Sequence, residues 1–246
     1  MIEAALERGF NRLGFSSHAM FPAKESFTLD PARASDYVAE LRALAAEFRG
    51  RLEVLCGFEA DYLAGVTTPD RGTYAAFAPD YLIGSIHWVR AADGAAVAVD
   101  ESPETLAAGI AAHFGGRADV FVKAYHRTLR EMVGAFDFDV VGHPDLYRKF
   151  NARAPFFDES AAWHREEIER TAAAIAGSGK IVEVNTGAIG RGWLDDAYPS
   201  AFFRGELRRR GVKFVLDSDA HSAAGLDAAF DRFAAAEEFI EIGGAR

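Results

Sequence analysis

Short apolar runs recur along this chain, and each is followed by a longer stretch in which apolar positions return every third or fourth residue. The first pattern predicts buried strands and the second predicts helices packed on them. Strands are expected at Leu13–Ser16, Glu53–Phe58, Tyr81–Ile86, Asp139–Gly142, Ile181–Asn185 and Lys213–Leu216. Helices are expected at Ile2–Arg8, Pro31–Phe48, Arg71–Phe77, Val120–Phe136, Asp158–Ala176, Ser200–Arg210 and Leu226–Phe239, with another opening at Ser102-Pro103-Glu104. Asp30 before Pro31 reads as an N-cap followed by proline at the first helical position. The Gly115-Gly116 pair breaks one helix from the next, and Gly177 and Gly179 close the helix from Asp158. Strands this apolar are buried on both faces, as in parallel sheets. Strict strand–helix alternation indicates an α/β fold. No linker or shift of composition interrupts residues 1–246, which predicts a single domain.

The ends of the predicted strands carry the chemistry. Of the seven histidines, four stand where a strand ends: His18 after RLGFSS, His87 after DYLIGSI, His143 after FDVVG and His221 after FVLDSDA. Glu59 ends a further run, LEVLCGFE. Side chains at the same end of successive parallel strands converge on one point, and histidine with carboxylate is a metal-binding combination. Each residue has a plainer explanation when taken alone. Asp219-x-His221 could be an N-cap aspartate with a surface histidine, and His87 or His143 a hydrogen-bonded strand end. Glu59 resists such an account, because an unpaired carboxylate in an apolar run is costly to bury. His113, His126 and His164 fall on predicted helices and are expected to face solvent or the edge of the core. Arg148, beside Lys149, and Arg191, in a glycine-bearing loop, are candidate anion ligands, although an ordinary surface arginine would look the same.

Composition narrows the partners. Half of the 246 residues are hydrophobic, ample for a large core. The formal charge of -10 argues against a nucleic-acid surface, which needs clustered Lys and Arg. A small anionic substrate is still compatible with it, because bound cations invert a local field. The single cysteine, Cys56, rules out an internal disulfide, suits a reducing cytoplasm and reads as a small buried hydrophobe. No stretch is apolar enough to span a membrane. These features leave oligomeric state open.

In order along the chain, SSHA, GFEADY, GSIHWV, FDVVGHPDLYRKF, EVNTGAIGR, AYPS and LDSDAHS resemble the PHP (polymerase and histidinol phosphatase) superfamily, above all its monofunctional histidinol-phosphatase branch. The resemblance spans nearly the whole chain. It implies a distorted (β/α)7 TIM-like barrel, two or three divalent ions of the Zn, Mn or Fe class, and hydrolysis of L-histidinol phosphate in histidine biosynthesis. By position it implies Glu59 as a bridging carboxylate, His87 and His143 beside it on one metal, and Asp219 on a second. His18 and His221 resemble ligands of a third. Glu59, Asp219 and His221 are then the expected catalytic residues, and Arg191 and Arg148 the expected phosphate ligands. The resemblance also implies a first strand ending in His-x-His. No histidine precedes His18 here, and only six strands are counted. The expectation is therefore a barrel lacking its first strand and holding fewer metals. Two alternatives follow: a PHP phosphoesterase for another small phosphate ester, or a non-catalytic relative that binds phosphate or metal.

Overall fold

A computed structural model describes residues 1–19, 28–234 and 239–242. In chain order the elements are α1 (Ile2–Glu7), β1 (Arg12–His18), α2 (Ala34–Glu47), β2 (Glu53–Asp61), α3 (Arg71–Tyr74), β3 (Tyr81–Ser85), β4 (Trp88–Arg90) and β5 (Ala96–Ala98). They continue with α4 (Pro103–His113), α5 (Ala118–Ala135), β6 (Val140–Val141), α6 (Ala162–Ser178), β7 (Ile181–Asn185), α7 (Gly187–Gly190), α8 (Ala201–Arg209) and β8 (Phe214–Asp217). Six strands form one curled parallel sheet in the order β1-β2-β3-β6-β7-β8, a half-barrel with helices outside. Among the described residues its end strands, β1 and β8, do not pair. Both line one cavity of about 670 Å³.

The two-residue pleat divides each strand between two environments. Phe58, Ala60, Leu82, Val141, Val182 and Val184 turn outward into the main core under α5, α6 and α8. Leu55, Tyr81, Ile83 and Val140 fill the concave side, joined by the partly buried Ile181 and Val215. Farther along that inner face, β1 ends at His18 and β2 carries Glu59, paired in register with it. The same pleat that builds the core thus delivers polar residues to the carboxyl end of the sheet.

Two glycines allow the inner layer to close. A Cβ at Gly57 would stand 2.5 Å from Tyr81 Cζ, and one at Gly14 would stand 2.5 Å from Tyr81 Oη. Buried Tyr81 lies across both strands. Gly57→Ala should therefore cost about 1–3 kcal/mol of stability, the range for overpacking a tight core. A lowered denaturation midpoint with an unchanged slope would register it; an unchanged midpoint would show that the ring yields freely.

Several boundaries differ from expectation. Residues Trp88–Ala98 form an antiparallel hairpin, β4–β5, whose turn contains Asp93 and Gly94, the latter at φ 90°. The helix expected from Asp158 starts at Ala162, because Asp158 instead closes a turn on Ser160. Gly177 stays within that helix, and left-handed Gly179 ends it. The helix expected over Leu226–Phe239 does not form in its described part. Leu226 packs against β1, α1 and α2, whereas Phe233 enters the main core. Left-handed Ala229 and a 3₁₀ turn at Phe230–Arg232 redirect the chain between these anchors. Residues 235–238 of that expected helix lie outside the described residues. Cys56 is buried as expected, and burial raises its thiol to about 11, which keeps it protonated. No helix among the described residues is long and apolar enough to cross a membrane.

Candidate active site

Glu59 is the centre of a buried cluster at the carboxyl ends of the strands. His143 Nε2 lies 2.9 Å from Glu59 Oε1, and His87 Nε2 lies 3.5 Å from the same oxygen. His18 Nδ1 lies 3.3 Å from Glu59 Oε2. Potential ligand atoms of Glu59, His87 and His143 all lie within 4.8 Å of one another. Burial alone would raise the Glu59 carboxyl, but the surrounding His18, His143 and His87 rings outweigh it and hold the pKa well below the usual range. Burial likewise opposes a charge on His87, yet the Asp61 and Glu59 carboxylates overcome it and raise that ring well above its ordinary value.

The other expected residues gather on one side of this cluster. Asp219 follows β8 in a left-handed conformation, φ 47°, an uncommon backbone state that aspartate tolerates better than most residues. Its backbone N–H donates to Asp217 Oδ1 at 2.7 Å. This turn sets Asp219 Oδ2 2.8 Å from Arg191 Nη2, while Arg191 Nη1 donates to the Asp219 carbonyl at 2.9 Å. His221 Nε2 lies 3.4 Å from Asp219 Oδ1, and its ring is largely exposed. The His18 and His221 ring centroids are 6.4 Å apart.

A cavity of about 260 Å³ is lined by all six candidate metal ligands and by Arg191, with Asp100, Lys149, Tyr198, Leu146 and Ala188. His18, Glu59, Asp219 and His221 also line the larger cavity between β1 and β8, so the cluster sits where the two meet.

Arg148 departs from expectation. It is buried, its Nε donates to Glu159 Oε2 at 2.7 Å, and its Nη1 lies 3.3 Å from Asp145 Oδ2. Two carboxylates hold it away from the cavity. Its neighbour Lys149 takes the cavity position, donating to the side chain and the carbonyl of Asp100 at 2.9 Å each. The 3₁₀ turn Leu146–Arg148 sends consecutive side chains in different directions, a distinction invisible to sequence spacing. Asp61, Asp100, Tyr198 and Glu183 were also missed. Glu183 accepts hydrogen bonds from the His143 backbone N–H and the Asn185 side chain at 2.7 and 2.8 Å. Burial, reinforced by Asp217, raises its carboxyl well above the usual range. Its signal was a lone acid alternating with Val182 and Val184.

His126 and His164 also differ from expectation: both are buried, while His113 is partly exposed beside Asp93. His164 Nδ1 lies 2.8 Å from the Glu159 carbonyl, which only accepts, so that nitrogen carries the proton. His164 Nε2 then accepts from Tyr147 Oη at 2.8 Å, and Tyr147 Oη accepts from His126 Nε2 at 2.9 Å. His126 Nδ1 finally accepts from Thr171 Oγ1 at 2.9 Å. In this chain of hydrogen bonds both rings are neutral. Burial pushes both pKa values down, aided at His126 by His164 and Arg130.

The stability consequence has a definite sign. Below about pH 6.5 the unfolded chain takes up protons that the folded rings refuse, so stability falls as pH drops. Each such ring contributes a slope of up to roughly 1.4 kcal/mol per pH unit. His126→Gln should flatten the loss of unfolding free energy between pH 7.5 and 5.5; equal losses in both proteins would contradict this account.

Polar side chains converging at the carboxyl ends of a curled parallel sheet define an α/β half-barrel with a buried histidine–carboxylate centre. The chain belongs to the PHP domain family, which it matches over residues 1–187. It is 31% identical over 248 residues to a Deinococcus radiodurans protein named "Probable histidinol-phosphatase", spanning 98% of this chain and 86% of that protein. It is 27% identical over 249 residues to the histidinol-phosphatase of Bacillus subtilis, spanning 94% and 89%. The fold is similar to a Listeria monocytogenes structure provisionally assigned as a histidinol phosphatase, with TM-score 0.84, 20% identity and coverage of 95% and 92%. It is also similar to the Lactococcus lactis histidinol phosphate phosphatase solved with zinc, L-histidinol and phosphate, with TM-score 0.66, 18% identity and coverage of 99% and 89%.

The donor set suits a divalent cation. Buried carboxylate and imidazole donors match the Zn, Mn and Fe class. Glu59 and Asp219 bring carboxylate oxygens to the cavity, whereas Asp100 there is paired with Lys149.

Proposed function

We propose that this protein is a metal-dependent phosphomonoesterase that hydrolyses L-histidinol phosphate to L-histidinol and phosphate. The observation carrying this reading is the buried Glu59 carboxylate ringed by His18, His87 and His143 and sharing a cavity with Arg191 and Lys149. The names borne by the Deinococcus and Bacillus relatives support the choice of substrate. Glu59, His87 and His143 would hold one ion, and Asp219 and His221, with His18, would contribute to further binding. Unaided phosphate monoester hydrolysis can require acceleration approaching ~10²¹, and general acid–base groups contribute only about 10²–10⁴. When bound, divalent ions would polarise the phosphoryl oxygens and lower the pKa of a coordinated water.

The chain's own residues supply the remainder. Arg191 presents a planar guanidinium suited to two phosphoryl oxygens. Lys149 brings a second positive charge to the cavity, neutralised by Asp100 before substrate arrives. Tyr198 lines the cavity, and its buried hydroxyl has no hydrogen-bond partner among the described residues. The direct test is steady-state phosphate release from L-histidinol phosphate after loading with Zn²⁺, Mn²⁺ or Fe²⁺. Absence of turnover with every metal would refute the reading. Faster turnover of another small phosphate ester would keep the reaction and change the substrate.

A further inference from the structure

We infer that Asp61 is a positioning residue that holds the His87 Nδ1 proton and turns His87 Nε2 toward the Glu59–His143 cluster for metal binding. The inference rests on the metal reading of that cluster. Glu59 and Asp61 are two residues apart on β2, so the pleat aims both at one face. Asp61 pairs in register with Ser85, and the chain leaving β3 brings His87 back over the end of β2. Asp61 and His87 are both buried.

Distances decide between two roles for Asp61. His18, Asp61 and His87 could themselves form a metal-binding set, since their potential ligand atoms lie within 4.8 Å of one another. Two ligands about 2.1 Å from one ion stand roughly 3.0 Å apart in octahedral and roughly 3.4 Å apart in tetrahedral coordination, and His143 Nε2 and Glu59 Oε1, at 2.9 Å, meet the first of these. His87 Nδ1 and Asp61 Oδ1 are 2.6 Å apart, too close to share an ion and right for a charge-assisted hydrogen bond. His87 Nε2 and Glu59 Oε1, at 3.5 Å, have the spacing that an ion requires. A carboxylate only accepts, so Asp61 keeps the proton on Nδ1 and leaves the Nε2 lone pair for the metal. A buried carboxylate–imidazole pair is weak evidence of a stabilising role, because desolvation offsets its attraction. Its selective value here is the fixed ring orientation and the increased basicity of the ligating nitrogen.

The test is made on the whole protein with zinc as the probe. Ring ¹⁵N spectra of the zinc-loaded protein should show His87 with a proton on Nδ1 and zinc on Nε2. Chelator competition should show that Asp61→Asn binds the same number of zinc ions about 10–100-fold more weakly, the usual consequence of losing such a partner. Zinc on Nδ1, unchanged affinity in Asp61→Asn, or outright loss of one zinc equivalent would each overturn the inference, the last by making Asp61 a ligand. If Asp61→Asn does not fold, the wild-type spectrum still decides. Failure of the wild-type protein to bind zinc would sink both this inference and the metal reading. Zinc binding without phosphatase activity would remove only the proposed reaction.

Discussion

Glu59→Gln is expected to lower kcat/KM for L-histidinol phosphate by about 10³-fold, or roughly 4 kcal/mol of transition-state stabilisation. The substitution keeps the side chain's shape and removes its charge. In the native cluster that charge meets His143, His18 and His87 at 2.9, 3.3 and 3.5 Å. A neutral amide cannot hold a divalent ion among three imidazoles as a carboxylate does. Zinc stoichiometry measured on the same sample should fall with activity. Retention of both activity and metal would show that Glu59 serves only as a buried partner for the histidines. Loss of activity with full metal retention would place its role in the reaction and outside ion binding.

Arg191→Ala should reduce kcat/KM by about 10–100-fold, the cost of losing a hydrogen bond to a charged group. Arg191 is oriented before substrate arrives by the Asp219 carbonyl and carboxylate. Gly187 permits that approach, since a Cβ there would stand 2.6 Å from Arg191 Nη2. An effect mainly on KM would mean that the contact is equally strong in ground and transition states, whereas an effect mainly on kcat would mean that it forms as charge develops. Unchanged kinetics in both parameters would return Arg191 to the role of a surface residue bracing the Asp219 loop. Arg191→Lys should recover only part of the loss, because an ammonium cannot reproduce the planar two-pronged contact.

The candidate cluster was legible in the sequence to the extent that strand periodicity was legible. His18 and Glu59 close apolar runs, and the two-residue pleat puts both on the inner face in paired register. Asp61 extends the same alternation by one step but falls beyond the predicted end of its strand at Phe58. The Asp93-Gly94 pair at the turn of the β4–β5 hairpin is itself a hairpin signal in the sequence, although neither of its strands is among those expected. Arg148 and Lys149 were beyond reach: adjacent in sequence, they part at a 3₁₀ turn, one to Asp145 and Glu159 and the other to the cavity.

Local order along the chain determined the parallel α/β class, the six strands of the main sheet and the residues at their carboxyl ends. These depend on patterns among near neighbours, where the backbone repeat alone sets which side chains share a face. Tertiary contact decided which polar groups are buried and with whom. His126 and His164 look like solvated helix positions until α5 packs on α6 and Tyr147 enters between their rings. Leu226 and Phe233 look like one helical stripe until two separate core clusters claim them. In each case the deciding partner is distant in sequence, and the free energy of burial is set by that partner and not by the local pattern.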